Sequence, residues 1–146
     1  YPAHEGHGGY TISGIDGLIV NSLNQVQNPD VILLCIGAND ANGGNLNGAT
    51  NRLESLIVKI ATNRPLAKII VSNLLPESNT NNENAILTLF NPYVPEIVAR
   101  QVALGRKVYF TDMHSALTLA DLGDGLHPNA RGYDALAELW LKVLTR

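Results

Sequence analysis

The sequence predicts an α/β fold, a three-layer α/β/α sandwich with a parallel sheet at its centre. Two observations predict it. Three near-continuous apolar, β-branched runs, Asp30 to Ile36, Ala67 to Leu74 and Lys107 to Met113, have the character of strands covered on both faces. Stretches with apolar residues every third or fourth position lie between them. Helix and strand therefore alternate, which implies right-handed βαβ crossovers.

The elements follow in order. Ile12, Ile15, Leu18, Ile19, Leu23 and Val26 mark a first helix, and the first strand runs to Ile36. Leu53, Leu56, Ile57 and Ile60 mark a second helix, with Thr50 as its N-cap. After the second strand, a third helical stretch covers about Glu83 to Leu104, closed by Gly105. Pro92 and Pro95 lie inside it, so a kink or restart is expected there. The third strand precedes a last helix after Pro128, carrying Leu136, Leu139, Trp140, Val143 and Leu144. Polar loops at Asn42 to Asn47, Glu77 to Asn84 and Ser115 to Ala130 each leave the carboxyl end of a strand. Ligands of open α/β sheets bind at that edge.

Length and composition fit one globular domain over residues 1–146, since 146 residues with 45% apolar and 16% charged content can bury a core. A net charge of −3 gives no electrostatic footprint for nucleic acid or an anionic membrane. The apolar runs are too short to span a bilayer. Cys35 stands alone in an apolar run with no basic neighbour, so it is expected to be a buried structural thiol. Low charge with many Asn, Ser and Thr fits a secreted protein.

Chemistry-bearing residues concentrate in three places. Asp124 stands three residues before His127, with Gly125 between them to ease a tight turn. A carboxylate accepting Nδ1–H would hold the imidazole in the tautomer whose Nε2 takes a proton. Asn39 follows the first strand, where its amide could donate to a developing oxyanion. The Gly8-Gly9 pair brings bare backbone to a second such position. The plain alternative for each is an ordinary polar turn. His4 and His7 invite a metal reading, but the expected site needs no metal cofactor; a zinc site takes three or four ligands with a supported second shell. No serine stands in a setting that would expose a nucleophile at a strand-to-helix turn, and only Ser78 and Ser115 fall in ligand-edge loops.

Three blocks together resemble the SGNH (GDSL-type) hydrolase superfamily, and within it the carbohydrate esterase family 3 acetylxylan esterases. They are His4-Glu5-Gly6-His7-Gly8-Gly9-Tyr10, the run from Pro29 to Asp40 ending Ile36-Gly37-Ala38-Asn39-Asp40, and the run from Asp121 to Tyr133 containing Asp124-Gly125-Leu126-His127-Pro128-Asn129. Phe90-Asn91 with Pro95 resembles a fourth block. The resemblance implies His127 as general base, Asp124 as its orienting acid, and Gly9 with Asn39 as the oxyanion hole. Gly8 and Tyr10 stand where the family usually has Pro and Trp.

The family's Gly-Asp-Ser block and two strands normally precede the His-Glu-Gly-His segment, and neither has a counterpart here. The expectation is an N-terminally truncated domain whose first strand, Val31 to Ile36, is left as an edge. The implied function is a serine esterase for acetyl or other short acyl esters, on xylan or related carbohydrate, inactive without its nucleophile. The implied partners are acetylated carbohydrate or a small acyl ester, and possibly a chain supplying the missing strands, with no nucleic acid and no membrane. A non-catalytic carbohydrate- or partner-binding module is the alternative, and a metal-dependent deacetylase using His4 and His7 is a third reading.

Overall fold

Alternating side chains give each strand two faces, and the register of the sheet decides which residues share one. In the computed structural model, which describes residues 4–26 and 28–145, β1 (Val31–Leu34), β2 (Lys68–Ser72) and β3 (Val108–Thr111) pair in parallel in that order. Val31 lies opposite Lys68, and Ile69 opposite Val108. One face therefore carries Ile32, Leu34, Ile69, Val71, Val108 and Phe110; the other carries Leu33, Ile70 and Tyr109.

The first face is packed. Helices α1 (Ile12–Gln25), α3 (Ala49–Asn63) and α5 (Val94–Ala103) join it in one apolar cluster through Ile12, Ile15, Ile57, Ile60, Val94 and Ile97. Helix α6 (Ala130–Leu144) lies outside that cluster, contacts β3, and keeps Leu136, Leu139 and Trp140 only half-buried. The second face is barer. Ile70 at its centre is fully buried, whereas Leu33 and Tyr109, beside it in register, are 45% and 42% exposed. Cover on both faces thus holds for β2 and is incomplete for β1 and β3, the two edge strands, whose Leu33 and Tyr109 stay partly open. The same geometry limits the expected burial of Cys35. Two residues beyond Leu33 along that edge the residue is exposed, while its sulfur sits deep enough that desolvation pushes the thiol pKa up.

Helix starts follow local chemistry. The Thr11 hydroxyl accepts the Gly14 N–H at the head of α1, and Asn129 does the same for Gly132 in α6. Helix α3 begins one residue before the expected cap: Gly48, at φ +70°, turns the chain, and Thr50 already lies in the first turn. A further short helix, α2 (Ala38–Asn42), follows β1 directly. The expected helical stretch from Glu83 to Leu104 is four pieces: α4 (Thr80–Ala85), a π-helical turn at Ile86–Phe90, a 3₁₀ turn at Asn91–Tyr93, and α5. Pro92 and Pro95 remove two helical donors, which accounts for the restart. Gly105, at φ +80°, closes α5. Among the described residues no helix is long and apolar enough to cross a membrane.

The interruption places two side chains. Phe90 is fully buried beneath Gly37, where an added Cβ would meet its ring at 3.1 Å. The amide of buried Asn91 both accepts the Leu74 N–H at 2.8 Å and donates to the Leu74 carbonyl at 3.0 Å. It thereby completes the backbone just past β2, where the ladder has ended. Asn91→Ala would orphan both buried groups, at a cost of roughly 1–3 kcal/mol each. Urea unfolding should show a lower midpoint at unchanged m; an unaltered midpoint would mean that water replaces the amide freely.

Candidate active site

The segment after β3 is held before it reaches His127. Thr118 caps a 3₁₀ turn, Leu119–Asp121, and its main-chain N–H and hydroxyl both donate to Asp121 at 2.8 Å. Arg131 Nε donates to the same carboxylate at 2.6 Å. These bonds, those from Thr118 first, lower the Asp121 pKa to about 2. Asp121 therefore stays charged and pins both ends of the loop. The Gly123 N–H donates to the His127 carbonyl at 2.8 Å, and Leu122 pairs with Pro128.

Inside that clasp, Gly125 at φ +82° lets the chain double back. Asp124 Oδ1 accepts the His127 N–H at 2.7 Å and the Leu126 N–H at 3.0 Å, while Oδ2 lies 2.8 Å from His127 Nδ1. The His127 N–H, the imidazole and the Leu126 N–H hold the Asp124 carboxyl well below the usual carboxylate range. An ionised carboxylate only accepts, so Nδ1 carries the proton and Nε2 presents its lone pair. The His127 side chain is 69% exposed.

The second group forms around the exit of β1. Gly37, at φ +124°, turns the chain into α2, whose next residues include Asn39 and Asp40. Asn39 Nδ2 donates to the Tyr10 carbonyl at 2.9 Å, which leaves its second N–H free of that bond. Asp40, 0% exposed, accepts the Ile12 N–H at 2.9 Å. Consecutive side chains of α2 thus grip the segment immediately after Gly9, itself at φ +80°. His7 binds Glu5 at 2.8 Å, and its ring lies 4.8 Å from that of Tyr10. Among the described residues no group of three or more His, Cys, Asp or Glu could hold a metal ion.

The loop after β2 lies between these groups and touches both. The Ser78 N–H donates to the Gly125 carbonyl at 2.8 Å, and a Cβ on Gly125 would meet Ser78 Oγ at 2.2 Å. Glycine at position 125 is therefore required by close approach as well as by its positive φ. On the other side, Asn82 Nδ2 donates to Asn42 in α2 and to Glu77. His114 Nε2 lies 2.8 Å from Glu83, whose other oxygen accepts the Glu77 N–H. Asn73, just past β2, receives the Met113 and His114 N–H groups and donates to Asp112. None of these braces stands out in the sequence; the one signal is a polar residue directly after an apolar strand. Among the described residues no serine hydroxyl is hydrogen-bonded to His127, and Ser115 Oγ instead donates to Asp112 at 2.7 Å. An open groove of about 670 Å³ lies between α3 and α5, lined by Glu54, Val58, Gln101 and Leu104, none of which belongs to these loops.

Residues 2–135 match the GDSL-like lipase/acylhydrolase family. Over 97% of its length the chain is 30% identical to a multidomain esterase of Ruminococcus flavefaciens, and it spans 20% of that protein. Its fold superposes on a family 3 carbohydrate esterase of Clostridium thermocellum with a TM-score of 0.78 at 36% identity, covering 95% of this chain and 67% of that one. A serine-to-alanine mutant of an acetyl esterase with acetate ion gives a TM-score of 0.85 at 26% identity, covering 99% and 70%. The parallel sheet with its helices is the fold these structures share. On the match across residues 2–135, with the likeness to solved carbohydrate esterases, the chain belongs to the GDSL-like lipase/acylhydrolase family.

Proposed function

We propose that residues 1–146 are one domain of a serine esterase that removes acetyl groups from carbohydrate such as xylan, and that they carry its acid–base pair and oxyanion hole. The observation that carries this reading is the Asp124–His127 turn, which fixes Nδ1 and leaves Nε2 open at the ligand edge of the sheet. His127 Nε2 takes the proton of a serine hydroxyl as that oxygen attacks the acetyl carbonyl. The imidazolium, stabilised by ionised Asp124, then returns the proton to the departing sugar oxygen. Water repeats the sequence on the acyl-enzyme and releases acetate. The Gly9 N–H and the free N–H of Asn39 receive the oxyanion at each stage. The likeness to an acetyl esterase with acetate, and to a family 3 carbohydrate esterase, supports the choice of acyl group and substrate class.

The serine itself is proposed to come from outside this sequence, on a strand that pairs with the free edge of β1. Leu33 exposed on an edge strand supports that, because unpaired backbone beside apolar surface is a template for another strand. Losing a triad nucleophile costs roughly six orders of magnitude in turnover. The chain alone should therefore hydrolyse 4-nitrophenyl acetate no faster than its His127→Ala variant; turnover abolished by Ser78→Ala or Ser115→Ala would overturn the assignment. With a serine-bearing segment fused or added, activity should appear, depend on His127, and fall about a hundredfold or more in Asn39→Ala. Binding of acetylated xylan with no hydrolysis by the reconstituted protein would favour a binding module instead.

The pH profile tests the pair directly. Asp124 has a native pKa below its free value of 3.8. Its contribution to holding the turn is thus present above 3.8 and lost only as pH falls through the lowered value. Over the range in which esterase activity is measured, its charge is constant. The acid limb of log kcat/KM should then have unit slope, from the imidazole alone, and Asp124→Asn should cost roughly 10⁴-fold in rate by stabilising the wrong tautomer. A slope of two would show that the carboxylate titrates with the ring.

A further inference from the structure

We propose that Arg52 is a positioning residue for the oxyanion hole, acting through the buried carboxylate of Asp40. The inference rests on the assignment of Gly9 and Asn39 made above.

Asp40 is 0% exposed, and a buried carboxylate is costly unless paired and hydrogen-bonded. Its two oxygens are divided between two tasks. Oδ2 accepts the Ile12 N–H at 2.9 Å, and Oδ1 accepts Arg52 Nη2 at 3.0 Å. The neighbouring Asn39 amide holds the Tyr10 carbonyl at 2.9 Å. The segment that follows Gly9 is therefore fastened to α2 at two points two residues apart, one by each side chain. Rotation of the Asp40 carboxylate moves the Ile12 fastening and, with it, the separation between the two oxyanion donors.

Arg52 removes that freedom. Its Nη1 donates to the Asn47 carbonyl at 3.0 Å, and Nη2 also reaches the Asn45 carbonyl. The Asn45 N–H in turn donates to the Asp40 carbonyl at 2.7 Å. The planar guanidinium thus binds two loop carbonyls and the carboxylate at once, a geometry that a lysine ammonium does not reproduce. A residue whose task was only to neutralise Asp40 would need the charge; this one also sets an orientation.

The test uses the esterase with its serine-bearing segment present, turning over 4-nitrophenyl acetate. Arg52→Met should lower kcat by about tenfold to a hundredfold, the scale expected for a small misplacement of catalytic groups, with KM within about twofold. Arg52→Lys should recover little of the loss. The decisive measurement is a double-mutant cycle with Asn39→Ala. If Arg52 acts through the hole, Arg52→Met should cost less than about threefold more once Asn39 is gone. An equal fold-loss in both backgrounds would make Arg52 a structural residue and overturn the proposal, as would a kcat unchanged by Arg52→Met. Should Arg52→Met fail to fold, Asp40→Asn with Arg52→Met removes both charges while keeping an acceptor for Ile12, and the same cycle is read on that pair. An Asn39→Ala variant with undiminished kcat would remove the oxyanion assignment, and this inference with it. A diminished Asn39→Ala, with the Arg52 effect persisting in full beside it, would remove only the inference.

Discussion

Parallel pairing is the constraint on which the rest depends. Because β1, β2 and β3 all run the same way, their carboxyl ends meet at one edge, and the chain leaves every strand there. Asn39 leaves β1, Ser78 lies beyond β2, and Asp124 with His127 lies beyond β3. Residues 88 apart in sequence can act together only because the sheet collects them. The same arrangement leaves backbone unpaired where each strand stops. Asn73 and Asn91 supply it, Asn73 to the chain after β3 and Asn91 to Leu74 after β2. These buried amides continue the hydrogen-bonding of the sheet beyond its ladder and carry its rigidity into the loops.

How much of this the sequence discloses depends on the range of the interaction. The strands are legible because Val31 to Leu34, Lys68 to Ser72 and Val108 to Thr111 lie inside apolar β-branched runs. Helix α1 is legible from the spacing of Ile12, Ile15, Ile19 and Leu23. Asp124 and His127 are legible because their contact closes within one turn. What the sequence hides is decided by tertiary partners. The π-helical turn at Ile86–Phe90 exists where Phe90 fills the space under Gly37 and Asn91 meets Leu74, and no local pattern announces either contact. The exposure of Cys35 is hidden for the same reason. An apolar run looks identical whether its outer neighbour is present or not.

The two halves of the site differ in what holds them. The Asp124–His127 turn is nearly self-sufficient: its bonds to Leu126 and His127, the clasp at Gly123 and the Asp121 anchor all lie within the segment from Thr118 to Arg131. The proposed oxyanion side is assembled from pieces 28 and 29 residues apart, Ile12 with Asp40 and Tyr10 with Asn39. Loop closure over such lengths must be offset by packing. That packing is the cluster in which Ile12, whose N–H Asp40 holds, and Ala41, next to Asp40, are both buried.

This asymmetry explains why a charge is buried at Asp40 and none at Asp124. A local turn presents its carboxylate to solvent, where ionisation costs little, and three hydrogen bonds suffice to hold it. A long-range joint has to exclude water to be stiff, and a carboxylate taken out of water needs a full set of partners. Ile12 and the guanidinium of Arg52 provide them. The buried pair is therefore better understood as a means of fixing one geometry than as a source of stability, since an apolar pair of similar volume would often be as stable. On that view the expensive residue stands where orientation matters most, beside Asn39, the donor proposed to meet the developing charge.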